Sequence, residues 1–146
     1  MSDEQAIANC IYAYAAGMDL GDFDGVGELL GHCDVTFAGS EGVHRGASAL
    51  SALYGATTRR YDDGTPKTKH VTTNVAITVD GNCGNAASYF TVFQAVPGML
   101  ALQPIIAGRY DDTFVCHEGT WRFATRHVTV DLVGDLSAHL TFDLKQ

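Results

Sequence analysis

Apolar residues recur at helical spacing in the first third of the chain and alternate with polar ones over most of the rest. Ile7, Ile11, Tyr14 and Met18 fall at i, i+4, i+7 and i+11, which predicts an amphipathic helix. Ser2 and Gln5 form a capping box at its start, and Gly17 and Gly21 weaken its end. A short second helix is predicted over residues 22–30, with Asp22 as N-cap and Gly31 as stop. Residues 35–38 and 42–45 read as short strands. A third helix is predicted over residues 47–58, with Leu50, Leu53 and Tyr54 inward. From Lys69 onward the period is two. Strands are predicted over 70–79, 86–96, 104–115 and 121–132, separated by turns at Asp80-Gly81-Asn82, Pro97-Gly98 and His117-Glu118-Gly119. Helices first and long antiparallel strands afterwards define an α+β fold. It is expected to be a curved, mostly antiparallel sheet with about three N-terminal helices on its concave face, enclosing a pocket. Residues 134–146 are expected to dock through Leu136, Leu140, Phe142 and Leu144, with a neighbouring subunit as one candidate surface. The polar stretch 57–69, which contains Pro66, reads as a mobile loop leading into His70.

The length, 146 residues, suits a single domain over 1–146 with a real core. Hydrophobic residues make up 46% and charged residues 18%, which argues against a disordered chain. The net charge of −8 argues against nucleic acid or an anionic membrane as partner. No apolar run approaches the ~20 residues of a membrane helix, and the acidic, polar start is unlike a secretory signal. Cys10, Cys33, Cys83 and Cys116 show no C-x-x-C spacing, which suits reduced thiols in a cytoplasmic protein. His32-Cys33-Asp34 and His117-Glu118 lack a third ligand at a known spacing, so no metal is expected.

Four residues stand out as chemistry. In a strand, His70 shares a face with Thr72 and Asn74, a polar triplet in an otherwise apolar element. Asp19 ends the first helix. A carboxylate bonded to one imidazole nitrogen fixes the tautomer and leaves the other nitrogen as general base. Tyr14 sits about 7.5 Å before Asp19 along the helix and could reach a departing or developing oxyanion. Arg126, in the last strand, offers a fixed positive charge, although strict alternation leaves its face open unless a bulge intervenes. Ala13, Ala15, Ala16 and Gly17 would leave space beneath the helix. Met18, Phe37, Tyr54, Thr72, Asn74, Tyr89, Phe93 and Tyr110 are the expected pocket lining. Taken singly, each has a plainer reading: Asp19 as a helix-end cap, His70 as a structural histidine, Tyr14 as core and Arg126 as solvated.

Together the pieces resemble the SnoaL-like branch of the nuclear transport factor 2-like superfamily across nearly the whole chain. The resemblance is carried by the Ile11–Asp19 helix end, Gly21-Asp22-Phe23-Asp24, Lys69-His70-Val71-Thr72-Thr73-Asn74, Gly108-Arg109-Tyr110-Asp111-Asp112 and the run from Gly119 to Arg126. Within it, the pattern is most similar to the scytalone dehydratase, bile-acid 7α-dehydratase and hexachlorocyclohexane dehydrochlorinase branch. That resemblance implies a cofactor-independent lyase on a mostly apolar cyclic small molecule, with Asp19 and His70 as the catalytic pair. Tyr14 would match the tyrosine before the aspartate, and Arg126 the late-strand arginine. It also implies a homodimer or homotrimer. Two other readings share the fold: an isomerase or polyketide-type cyclase using the same base, and a non-catalytic ligand-binding or dioxygenase small-subunit-like protein.

Overall fold

The helical period at the N-terminus builds α1 (Asp3–Leu20), whose buried stripe is Ile7, Ile11, Tyr14, Ala15 and Met18. This is a computed structural model, and it describes residues 1–144. Half of the expected capping box forms: Ser2 accepts from the Gln5 amide, while the Gln5 side chain turns to Asn9. Gly21, at φ 72°, ends the helix in the left-handed conformation that glycine adopts without strain. Asp22 caps α2 (Phe23–Leu29) through the Gly25 amide. Helix α3 (Ala47–Thr57) buries Leu50 and Tyr54.

Six strands form one sheet: β1 (Asp34–Phe37), β2 (His44–Arg45), β3 (Thr68–Asp80), β4 (Cys83–Val96), β5 (Leu100–His117) and β6 (Thr120–Val133). Their order is β2-β1-β6-β5-β4-β3, antiparallel throughout except where β1 runs parallel to β6. The expected α+β fold is therefore present, with an open, curved sheet. Strand β5 begins earlier than its proline suggested. Pro104 is tolerated at a bulge, where Ile105 is the extra residue between the Phe93 and Val92 pairings.

Two further bulges decide which side chains face the helices. Thr73 pairs with Tyr89 and Ala76 with Ala87, so β3 carries one extra residue at Asn74 and Val75. Asn74 adopts φ 54° there and turns to solvent, while Val75, Ile77 and Val79 regain the inner face. In β6, Thr113 pairs with Thr125 and Phe114 with Phe123, leaving Ala124 unpaired. That insertion puts Trp121, Phe123, Arg126 and Val128 all on the buried side.

Strand β4 alternates without interruption in its inner half: Ala86, Ser88, Phe90, Val92, Gln94 and Val96 are buried. Gly108 admits Phe90, since a Cβ there would lie 2.7 Å from its ring. The segment after β6 folds back on its own chain: Ala138 and His139 are buried and Leu140 bridges to Thr58. The loop before β3, expected to be mobile, is tied by Tyr61–Thr65 and Lys67–Asp63 bonds, with Pro66 buried. Lys145 and Gln146 lie outside the described residues. No helix among the described residues is long and apolar enough to cross a membrane.

Candidate active site

Asp19 occupies the last turn of α1, the helix that runs along the sheet's β3 edge. Its Oδ2 accepts from the His70 backbone amide at 2.8 Å. Its Oδ1 meets His70 Nδ1 at 2.6 Å and accepts from the Thr68 hydroxyl at 2.9 Å. Both side chains are nearly sealed, at 7% exposure for His70 and 13% for Asp19. Burial pushes the Asp19 carboxyl up, but the bonds and charge of His70, with the Thr68 hydroxyl, hold it below its ordinary value. An ionised carboxylate only accepts, so Nδ1 must carry the hydrogen. When the ring is neutral its lone pair is therefore on Nε2, the arrangement of an oriented general base.

Tyr14 lies edge-on to His70, with ring centroids 6.4 Å apart, and its hydroxyl donates weakly to that of Tyr54 at 3.4 Å. Arg126 is completely buried. Its Nε and Nη2 hold Asp112 bidentately at 2.8 and 3.0 Å, and its guanidinium lies over Tyr14 at 4.4 Å and Tyr110 at 3.7 Å. Burial works against the Arg126 charge, but the charge and hydrogen bonds of Asp112, with Tyr110 and Tyr14, together outweigh it and keep the guanidinium protonated; Asp112 also neutralises the charge expected to be free. Only Nη1 is left unpaired. Desolvation raises Tyr54 and Tyr110 well above the ordinary phenol range, so both stay neutral hydrogen-bonding groups.

The remaining expected lining divides three ways. Thr72 stands beside His70 on the inner face. Met18, Tyr54 and Tyr110 are core residues, and half-buried Phe37 lies against His44. Asn74, Tyr89 and Phe93 do not face this site. The β3 bulge turns Asn74 outward, and the parity of β4 puts Tyr89 (49% exposed) and Phe93 on the outer face with Thr91. Phe90, one residue along, is the inward ring and stacks on Tyr110 at 4.6 Å. The space expected beneath α1 is filled by Tyr14, Tyr54, Tyr110 and Phe90. Gly17 is small because α2 comes close: a Cβ there would sit 2.8 Å from Val26 Cγ2. An open groove of about 450 Å³ lies instead beside the helix. It is lined by Tyr12, Ala15, Ala16, Asp19, Leu20, Lys69, His70 and Thr72.

Sequence reasoning missed Thr68, Asp112 and His139. Thr68 was findable, two residues before His70 on the same strand face. Asp112 is the cross-strand partner of Arg126 and needed the bulge-shifted register to be seen.

This fold is shared by several solved structures. An NTF2-like protein with a cystatin-like fold from Novosphingobium aromaticivorans is 22% identical, with 93% of this chain and 86% of that one aligned and a TM-score of 0.72. A candidate scytalone dehydratase from the same organism is 21% identical (90% and 85% aligned, TM-score 0.69). The beta subunit of a candidate aromatic-ring-hydroxylating dioxygenase, also from that organism, is 21% identical (89% and 90%, TM-score 0.68). The chain matches none of the curated proteins. The SnoaL-like domain model matches residues 1–127, and the chain belongs to that family.

Proposed function

We propose that this protein is a cofactor-independent lyase that eliminates water from a mostly apolar cyclic small molecule, with His70 as general base. The observation that carries the reading is the clamp on Asp19: three hydrogen bonds, two of them from His70, hold a carboxylate against one ring nitrogen. A helix-end cap needs no imidazole, and a structural histidine needs no ionised partner. In the proposed reaction, His70 Nε2 removes a proton from the carbon next to a carbonyl. The C–H electron pair forms an enolate, and its collapse breaks the C–O bond at the neighbouring carbon; the departing hydroxyl takes back the proton held by the His70 imidazolium and leaves as water. Asp19 stabilises the imidazolium. Tyr14 serves the oxygen that leaves or becomes anionic, and Arg126, through its Asp112 and aromatic contacts, fixes the Tyr14 ring. The groove along α1 gives the substrate its approach.

Likeness to the candidate scytalone dehydratase supports this class, while likeness to the dioxygenase beta subunit shows that the fold alone does not choose it. The test is a panel of cyclic β-hydroxy ketones followed by mass spectrometry. The proposal expects a product lighter by one water, and at least ~10²-fold slower turnover in folded His70→Ala. A product of unchanged mass would move the protein to the isomerases and cyclases, which share the first step. Undiminished turnover in His70→Ala would remove the base altogether.

A further inference from the structure

His139 is buried, titratable and unused by the mechanism above. It arrives on the segment after β6, which is fixed at several points. Gly134 N–H donates to Ile105 O at 2.8 Å, Arg59 N–H to His139 O at 2.7 Å and Thr141 N–H to Thr57 O at 3.0 Å. Gln94 Nε2 donates to both Pro66 O and Ala138 O at 3.0 Å. The imidazole brought in this way is only 6% exposed, and its Nδ1 is buried without a partner among the described residues. Buried polar atoms are nearly always paired, so this one calls for a reason.

Its position follows from the sheet register. Gln94 on β4 is paired with Thr68 on β3, and Thr68 donates to Asp19. The carbonyl that Gln94 holds belongs to Ala138, the residue before His139. Ala138 therefore sits against the buried face of β4, next to the strand that carries His70, and His139 follows it in the chain close enough to feel the charges of both dyad residues. Burial, and then the charge of His70, push it down to about 4, against the opposing pull of Asp19. The nearby Arg59 Nε donates to Leu140 O at 2.9 Å. A second buried atom without a partner, Gln94 Oε1, lies on the same inner face.

We infer that His139 is a second imidazole of the Asp19–His70 site, and that its Nδ1 hydrogen-bonds the carbonyl oxygen of the molecule from which His70 takes a proton. The inference rests on the reading of His70 as base. The two rings divide the work. His70 Nε2 accepts the proton from carbon, and the C–H electron pair moves to the carbonyl oxygen. His139 donates a hydrogen bond to that oxygen without transferring its proton. A ring that stays neutral does this without placing a second positive charge beside the imidazolium.

Two measurements test it. Histidine-selective NMR of the free protein needs no ligand. The His139 midpoint should lie near 4, rise in His70→Gln, which removes a like charge, and fall further in Asp19→Asn. A midpoint at the ordinary value, unmoved by either change, overturns the placement. The second is deuterium uptake by α-tetralone in heavy water. His139→Phe should lower kcat by on the order of 10²-fold with KM little changed. His139→Asn, whose amide stands where Nδ1 was, should recover most of the loss. Full kcat in His139→Phe overturns the role. A wild-type protein that exchanges nothing removes the base reading and the oxyanion role with it, leaving the titration to decide the placement alone.

Discussion

Asp19 shows how much one side chain can organise. It reaches the exposed edge of β3 and takes up a backbone amide, a hydroxyl and an imidazole N–H together. Asp19→Asn keeps the shape but removes the charge and makes one oxygen a nitrogen. We expect it to lower turnover by at least ~10-fold, because the amide neither stabilises the imidazolium nor enforces the Nδ1–H tautomer. The pair was legible in the sequence because both residues end or begin regular elements whose periods could be counted. Arg126 was legible only as a residue type. Its partner Asp112 lies directly across the strand pair, and removing that partner leaves a buried, unpaired guanidinium. Asp112→Ala should therefore cost about 3–5 kcal/mol in a urea titration, whereas Tyr14→Phe, losing a 3.4 Å hydroxyl contact, should cost little.

At the scale of elements, the legible part is the part that is periodic. Ile7, Ile11, Tyr14 and Met18 line one helix stripe as their spacing predicts, and the four long strands appear where alternation begins. What could not be read was parity across bulges. A single extra residue reverses every side chain beyond it, so alternation alone points Asn74 inward and leaves the face of Arg126 open. Tyr89 and Phe93 differ from expectation for a related reason: aromatic content suggests a wall, but the parity of β4 assigns the wall to Phe90. The bulge at Asn74 gives a prediction of its own. Asn74→Val forces a β-branched residue to φ 54° and should destabilise by about 1–3 kcal/mol, while Asn74→Gly should be tolerated. Gly17→Val should cost a similar amount by pushing α2 away from α1, visible as a lower melting temperature.

Across the whole molecule, the segment after β6 closes the end of the sheet and delivers His139, and nothing in the periodicity announced it. Its burial has a consequence for acid stability. A histidine ordinarily near 6.5 but held at about 4 in the fold binds its proton more readily when unfolded. Stability is therefore complete above about pH 6.5 and falls as pH drops toward 4, by on the order of 3 kcal/mol if the group acts alone. The depressed Asp19 acts lower, withdrawing its own contribution only as the pH falls below the ordinary carboxylate range. Urea titrations across this window should show that slope in the wild type and a flatter one in His139→Phe. The fold, with its dehydratase-like and subunit-like relatives, does not choose among functions. The clamped dyad beside an open groove is what favours proton abstraction.

That claim is tested most directly by following deuterium uptake at the carbon next to the carbonyl of α-tetralone and related cyclic ketones in heavy water. The account predicts exchange by the wild-type protein with no cofactor added, and a fall of about 10²–10⁴-fold in His70→Ala with the fold intact by circular dichroism. Exchange that proceeds equally fast without the imidazole would contradict it.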